Sequence, residues 1–132
     1  MHNVFVYGTL QLPEVMLAVT GRTFPALPAR LAHYARHRLR GKSFPGIRPS
    51  PGASVDGLLY LGIDAPAQQR LDEFEDDFYR REPVTVTTAD GAEWAAQAYV
   101  TREECYGLLL AEEWSLAEFR RTSLPGFLLH HE

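Results

Sequence analysis

A chain of 132 residues, 45% of them hydrophobic, suits a single domain (residues 1–132) with its own core. Its formal net charge of −4 argues against a nucleic-acid partner, since such binders gain affinity largely by neutralising phosphates. No apolar run is long enough to span a bilayer, and the Met1-His2-Asn3 start lacks the basic and apolar regions of a signal peptide, so no membrane partner and a cytoplasmic location are expected.

His2 to Tyr7 is rich in Val and Phe and reads as a strand. Gly8-Thr9 breaks it, because glycine tolerates backbone angles that a strand residue does not. Pro13 to Thr20 fits a short helix, with Pro13 in its first turn and Gly21 as its stop. Pro25 and Pro28 mark a loop. Arg30 to Arg40 then alternates: Leu31, His33, Ala35, His37 and Leu39 share one strand face, and Ala32, Tyr34, Arg36, Arg38 and Arg40 the other. Gly41 to Gly52 holds three prolines and three glycines and reads as irregular. Ser54 to Gly62 is apolar enough for a strand lying centrally in a sheet.

Asp64 can cap the next helix, with Pro66 tolerated in its first turn. Ile63, Ala67, Leu71, Phe74 and Phe78 form its inward stripe. Pro83 to Thr88 and Trp94 to Thr101 are strands joined by Asp90-Gly91, a strong hairpin signal. Ser115-Leu116-Ala117-Glu118 has capping-box spacing, and Pro125-Gly126 ends the helix it opens. Strands with two or three short helices, and no regular βαβ alternation, predict an α+β fold. Its sheet is mixed or mainly antiparallel and curls around a core.

Two segments carry chemistry. Asp72, Glu73, Glu75, Asp76 and Asp77 crowd a helix C-terminus, where the macrodipole disfavours carboxylates. A local rule broken without compensation hints at function. Glu75 is the most informative of the five, because it lies four residues after Leu71 and beside Phe74, at the border of the apolar stripe. Partial burial, neighbouring acids and the helix end all favour a carboxyl that accepts and returns a proton near neutral pH. The competing reading is a solvated helix end with Glu75 paired to Arg80 or Arg81. At the other segment, Tyr7-Gly8-Thr9-Leu10 can turn backbone N–H groups outward to hold a carboxylate or an oxyanion, or it is simply a tight turn. Cys105, the only cysteine, excludes an internal disulfide and has no pattern around it that marks a nucleophile. His33 and His37 lack the further ligands that a metal site needs, so no metal is expected. His130-His131 lie in a tail expected to be disordered.

The two segments together, in this order, resemble the gamma-glutamylcyclotransferase-like (AIG2-like) family. Tyr7-Gly8-Thr9-Leu10 is similar to its Tyr-Gly-Ser/Thr-Asn/Leu signature, and Leu71-Asp72-Glu73-Phe74-Glu75 with Tyr79-x-Arg81 to its acidic segment. Gly46 to Pro51 is similar to its proline-rich loop, and Val55-Asp56-Gly57-Leu58-Leu59-Tyr60 to its central strand. The likeness covers residues 3 to 101, with a weaker echo of bacterial members at Trp114 to Phe119. It implies a small barrel with flanking short helices, a pocket at its mouth, and neither metal nor cofactor. It also implies a reaction in which the α-amine of a γ-glutamyl amine, amino acid or peptide attacks its own γ-carbonyl, releasing 5-oxoproline and a free amine. By this likeness Glu75, not Glu73, is the general acid/base, and Tyr7, Gly8, Thr9 and Leu10 contact the glutamyl part. Tyr99 reaches the same pocket or is a core aromatic; Arg81 meets a substrate carboxylate or makes a structural salt bridge. The alternatives are a catalytically inactive domain of the same fold that binds a small acidic ligand, and an interaction domain using the Arg36, Arg38 and Arg40 face.

Overall fold

In a computed structural model, which describes residues 2–75 and 77–122, five strands close into a barrel in the order β1-β3-β2-β4-β5. The strands are β1 (His2–Val6), β2 (Ala26–Arg38), β3 (Pro45–Ile63), β4 (Tyr79–Thr88) and β5 (Glu93–Thr101). All neighbours are antiparallel except β1 and β5, whose parallel pairing closes the barrel. Three helices lie outside: α1 (Pro13–Thr20), α2 (Ala65–Phe74) and α3 (Leu116–Thr122). No helix among the described residues is long and apolar enough to cross a membrane.

The alternation of β1 explains why Val4, Phe5 and Val6 are all apolar. Phe5 joins a cluster with Leu31, Ile47, Leu59, Val86 and Ala98, drawn from all five strands, which fills the barrel. Val4 and Val6 face the other way, onto Val15, Met16, Leu71, Trp114 and Phe119 beneath the helices. A strand buried on both faces has no polar side to show.

Helix α2 starts as the sequence predicts, with the Asp64 side chain accepting from the Ala67 N–H at 3.0 Å. Its end differs: the helix stops at Phe74, with Glu75 in extended backbone (φ −68°, ψ 139°), so Phe78 is not part of the helical stripe. Asp90-Gly91 makes its hairpin turn, and Ser115 caps α3 through the Glu118 N–H at 3.2 Å. The helix end at Pro125-Gly126 and the tail histidines lie outside the described residues, as does Asp76.

Three proline-marked expectations are corrected. Pro28 lies within β2, Pro45 to Gly52 belong to β3 rather than to a loop, and β4 begins at Tyr79 rather than Pro83. Pro45 and Pro49 pair only with β2, and Pro83 only with β5. A strand bonded on one side can carry a residue without an N–H, which a strand bonded on both sides cannot.

The alternation read across β2 is also corrected. The β2–β3 register slips between Ala32 and Tyr34, and His33 takes a left-handed backbone angle (φ 65°). Such a bulge shifts the side-chain parity by one. Leu31 therefore joins the barrel interior, whereas Leu39 joins the outer cluster. Tyr34 packs on the interior set.

Candidate active site

The acidic segment and the glycine loop meet at one end of the barrel, around a cavity of about 270 Å³. Tyr7, Gly8, Thr9 and Leu10 line one side, and Phe74, Glu75, Tyr79 and Tyr99 another. Ser43, Phe44 and Pro45, together with Phe119 of α3, complete the wall.

Glu75 sits where α2 ends. Its N–H still bonds the Leu71 carbonyl at 3.0 Å, so the last helical turn fixes its backbone. Leu71 is fully buried, which holds that turn against the barrel. The glycine loop is held as firmly. β1 delivers it, and a 3-10 turn (Thr9–Gln11) follows Gly8, with the Gln11 N–H on the Gly8 carbonyl at 3.1 Å. The first amides of such a turn have no partner inside the turn, and Gly8, Thr9 and Leu10 all line the cavity. Gly8 is required by close approach: a Cβ there would lie 2.9 Å from Pro45 Cδ.

The tyrosines brace the site. Tyr7 Oη donates to the Tyr99 carbonyl at 2.6 Å, tying the end of β1 to β5, so its proton is committed to the backbone rather than free to orient a ligand. Tyr99 Oη donates to Asp72 Oδ1 at 2.5 Å and accepts from Gln68 Nε2 at 2.8 Å. Tyr79 Oη donates to the Pro45 carbonyl. Asp72 also accepts from Gln68 Nε2 at 3.0 Å and lies 3.4 Å from Arg81 Nη1. These bonds compensate one carboxylate of the acidic helix end. Arg81 does not line the cavity; the salt bridge to Asp72 is its place, while Arg80 pairs with Glu82 at 2.6 Å.

Burial, above all, pushes the Tyr7 phenol well above its ordinary range; the charge of Glu75 adds to the rise and that of Arg36 opposes it. Tyr99 is raised by burial, then by its bond to Asp72 and the charges of Asp72 and Glu75. The Glu75 charge is thus felt at both hydroxyls. Burial likewise lifts Tyr60, whose hydroxyl holds the Leu10 carbonyl at 2.7 Å, to about 12.

A pH dependence follows. Above pH 10.0, the ordinary tyrosine value, the unfolded chain releases these protons while the folded chain keeps them. The unfolded state then binds fewer protons, so stability falls as pH rises. The stabilising contribution is fully present below about pH 10 and is lost as pH climbs through the raised folded values, about 12 for Tyr60. Urea midpoints should therefore decline steadily across that window, and a flat profile would contradict the bracing role.

Sequence reading identified the loop and Glu75 but missed much of the wall. Phe74 and Tyr79 belong to the acidic motif itself, but nothing in the motif marks them as wall residues. Ser43 and Phe44 lie within the Gly41 to Gly52 segment read as irregular, and Phe119 arrives on a helix distant in sequence, with no local signal. Of the Arg36, Arg38 and Arg40 face, two side chains sit beside carboxylates: Arg36 and Arg38 lie 3.4 and 3.5 Å from Glu113 and Glu112. Cys105 is half-buried, and among the described residues no three His, Cys, Asp or Glu side chains gather as a metal-binding group.

Known proteins resemble this chain in sequence and fold. The AIG2-like protein C of Arabidopsis thaliana is 33% identical over 132 residues, covering 96% of this chain and 74% of the relative. The solution structure of At5g39720.1 from Arabidopsis thaliana is 30% identical with a TM-score of 0.76, covering 98% of this chain and 87% of that one. A solved structure described as "Gamma-glutamyl cyclotransferase" shares the fold, with a TM-score of 0.69 at 18% identity over 99% of this chain and 88% of that one. The family described as "Gamma-glutamyl cyclotransferase, AIG2-like" matches residues 4–116, a span that holds the barrel, the glycine loop and Glu75, and the chain belongs to that family.

Proposed function

We propose that this protein is a γ-glutamyl cyclotransferase that converts a γ-glutamyl compound into 5-oxoproline and a free amine, with Glu75 as general acid/base. The observation that carries this reading is the meeting of Glu75 with the Tyr7–Leu10 loop around one cavity.

The substrate's α-ammonium first loses a proton to Glu75. The freed amine attacks the γ-carbonyl carbon, and the carbonyl electron pair moves to oxygen, where the loop amides of Gly8, Thr9 and Leu10 stabilise it. The tetrahedral centre then collapses. The bond to the leaving nitrogen breaks as Glu75 returns a proton to it, while the ring nitrogen, which carries a positive charge after the attack, gives its second proton to water; the released amine takes up that proton as an ammonium, and the neutral five-membered lactam remains. Nucleophile and electrophile belong to one molecule, so folding the substrate into a ring-closing shape removes much of the barrier. Nothing in the balance of this acyl transfer calls for a metal or a cofactor. Tyr7 and Tyr99 act mainly through the wall they brace, and Arg81 through Asp72.

The aromatic part of the wall, Phe44, Phe74 and Phe119, takes the substituent of the leaving amine. An apolar substituent gains more there than a carboxylate, which would lose hydration and meet the charge of Glu75. The test is mass-spectrometric detection of 5-oxoproline from purified protein incubated with γ-glutamyl alkylamines, γ-glutamyl amino acids and γ-glutamyl peptides. Product from the apolar amines at the highest kcat/KM is the expected result; absence of product from every compound would overturn the proposal.

A further inference from the structure

We infer that Arg36 is a positioning residue for the glycine loop, its guanidinium polarising the Tyr7–Gly8 peptide unit and strengthening the Gly8 N–H as a donor; the catalytic consequence rests on the function proposed above, the electronic one does not.

The inference starts from the bulge at His33. With unbroken alternation Arg36 would lie opposite Leu31, on the outer face. The slip between Ala32 and Tyr34 brings Tyr34, and two residues later Arg36, to the side that Leu31 occupies. The Arg36 side chain is only 17% exposed. Its Nη1 donates to the Tyr7 carbonyl at 2.9 Å, and its guanidinium carbon lies 5.6 Å from the centre of the Trp114 ring. Trp114 is buried and donates to the Ser43 carbonyl at 2.7 Å. Arg36 and Trp114 thus form one brace that grips both sides of the cavity mouth, since Gly8 and Ser43 both line it.

Surface ion pairing does not account for this placement. The carboxylate of Glu113 is 3.4 Å away and 76% exposed, a geometry in which water screens most of the attraction. Arg36 Nε is buried with no hydrogen-bond partner among the described residues, a cost that simple packing does not require. The charge is left to act on the one carbonyl it does bond. A peptide unit is conjugated, so a cation on its oxygen draws density from its nitrogen. Charge-assisted bonds are roughly twice as strong as neutral ones, and bonds in series reinforce one another. The Tyr7–Gly8 bond is trans, so the Gly8 N–H points away from Arg36. The cation therefore polarises this donor from behind without touching the substrate.

The test compares Arg36→Gln, which keeps a donor but removes the charge, with Arg36→Lys, which restores the charge. Two readouts are needed: the Gly8 amide proton resonance without substrate, and steady-state kinetics of 5-oxoproline formation. In Arg36→Gln the Gly8 proton should move upfield, and kcat should fall about tenfold with KM within about twofold, a fraction of what losing a whole oxyanion donor costs. Arg36→Lys should recover most of both. A Gly8 resonance unchanged in Arg36→Gln, or a lysine variant as impaired as glutamine at equal thermal stability, would overturn the inference. Should Arg36→Gln fail to fold, Arg36→Lys decides alone: a wild-type-like Gly8 resonance supports the charge, and a displaced one in a folded protein refutes it. If the wild type forms no 5-oxoproline, the proposed function fails, yet the Gly8 resonance still decides the role of Arg36.

Discussion

Glu75→Gln is expected to lower kcat for 5-oxoproline formation by about 10²–10⁴-fold, the range for a lost general acid/base, while substrate binding changes little. Glutamine has nearly the shape of glutamate, and α2 fixes residue 75 through the Glu75 N–H to Leu71 carbonyl bond, a turn buried at Leu71. The substitution therefore removes the proton acceptor without moving the wall. The neutral amide neither takes the proton of the α-ammonium nor returns one to the leaving nitrogen. Glu73→Gln is the matched control. Glu73 lies on the exposed face of α2, where its Oε1 accepts from Gln69 at 3.2 Å, and it does not line the cavity. Its rate should match the wild type within about twofold, as for a surface change remote from the chemistry. Binding of an uncyclisable γ-glutamyl analogue, followed by calorimetry, separates lost chemistry from lost affinity. Turnover of Glu75→Gln at the wild-type rate would remove Glu75 from its proposed role.

The same comparison shows which parts of the site the sequence could announce. Glu75 was readable because it breaks a local rule: a carboxylate at a helix C-terminus, beside Phe74, has no reason to be there on propensity alone. The glycine loop was readable because Gly8 interrupts a buried strand. Asp72 and Arg81 were only half readable, since the bonds from Tyr99 and Gln68 that stabilise Asp72 come from β5 and from one turn back on α2. Fold class was legible in the period-two runs and the Asp90-Gly91 turn. The extent of β3 was not, because prolines look like breakers until pairing shows that Pro45 and Pro49 bond on one side only. Arg36 was hidden by a single residue. His33 is not glycine, and nothing in its neighbours announces the left-handed angle that re-aims every side chain after it.

Gly57→Ala should be the most destabilising single-methyl addition among the glycines of the described residues. Gly57 stands in β3 between its two neighbours, opposite Ala29 of β2 and next to Leu58, which pairs with Val6 of β1. A Cβ there would fall 2.2 Å from the Val6 carbonyl oxygen and 2.9 Å from Phe5 Cζ. Neither obstacle is free to yield. The carbonyl is backbone, and the Phe5 ring is fully buried in the barrel interior. β1 itself is pinned by β3 on one side and β5 on the other. Relief requires β1 to shift as a unit, and overpacking of this kind costs about 1–3 kcal/mol or somewhat more. The shift carries Tyr7 and Gly8 with it, so the urea midpoint and 5-oxoproline turnover should fall together. Gly46→Ala meets the Thr101 hydroxyl at 2.4 Å and the Leu109 side chain at 2.9 Å, side-chain atoms that can rotate, and should cost less. Gly107→Ala meets nothing within 4 Å and should stay within about 0.5 kcal/mol of the wild type. Urea titrations of the three variants rank them directly. A Gly57→Ala midpoint equal to that of Gly107→Ala would mean that β1 is not held between its neighbours as tightly as the barrel requires, and the fixed placement of the glycine loop opposite Glu75 would lose its structural basis.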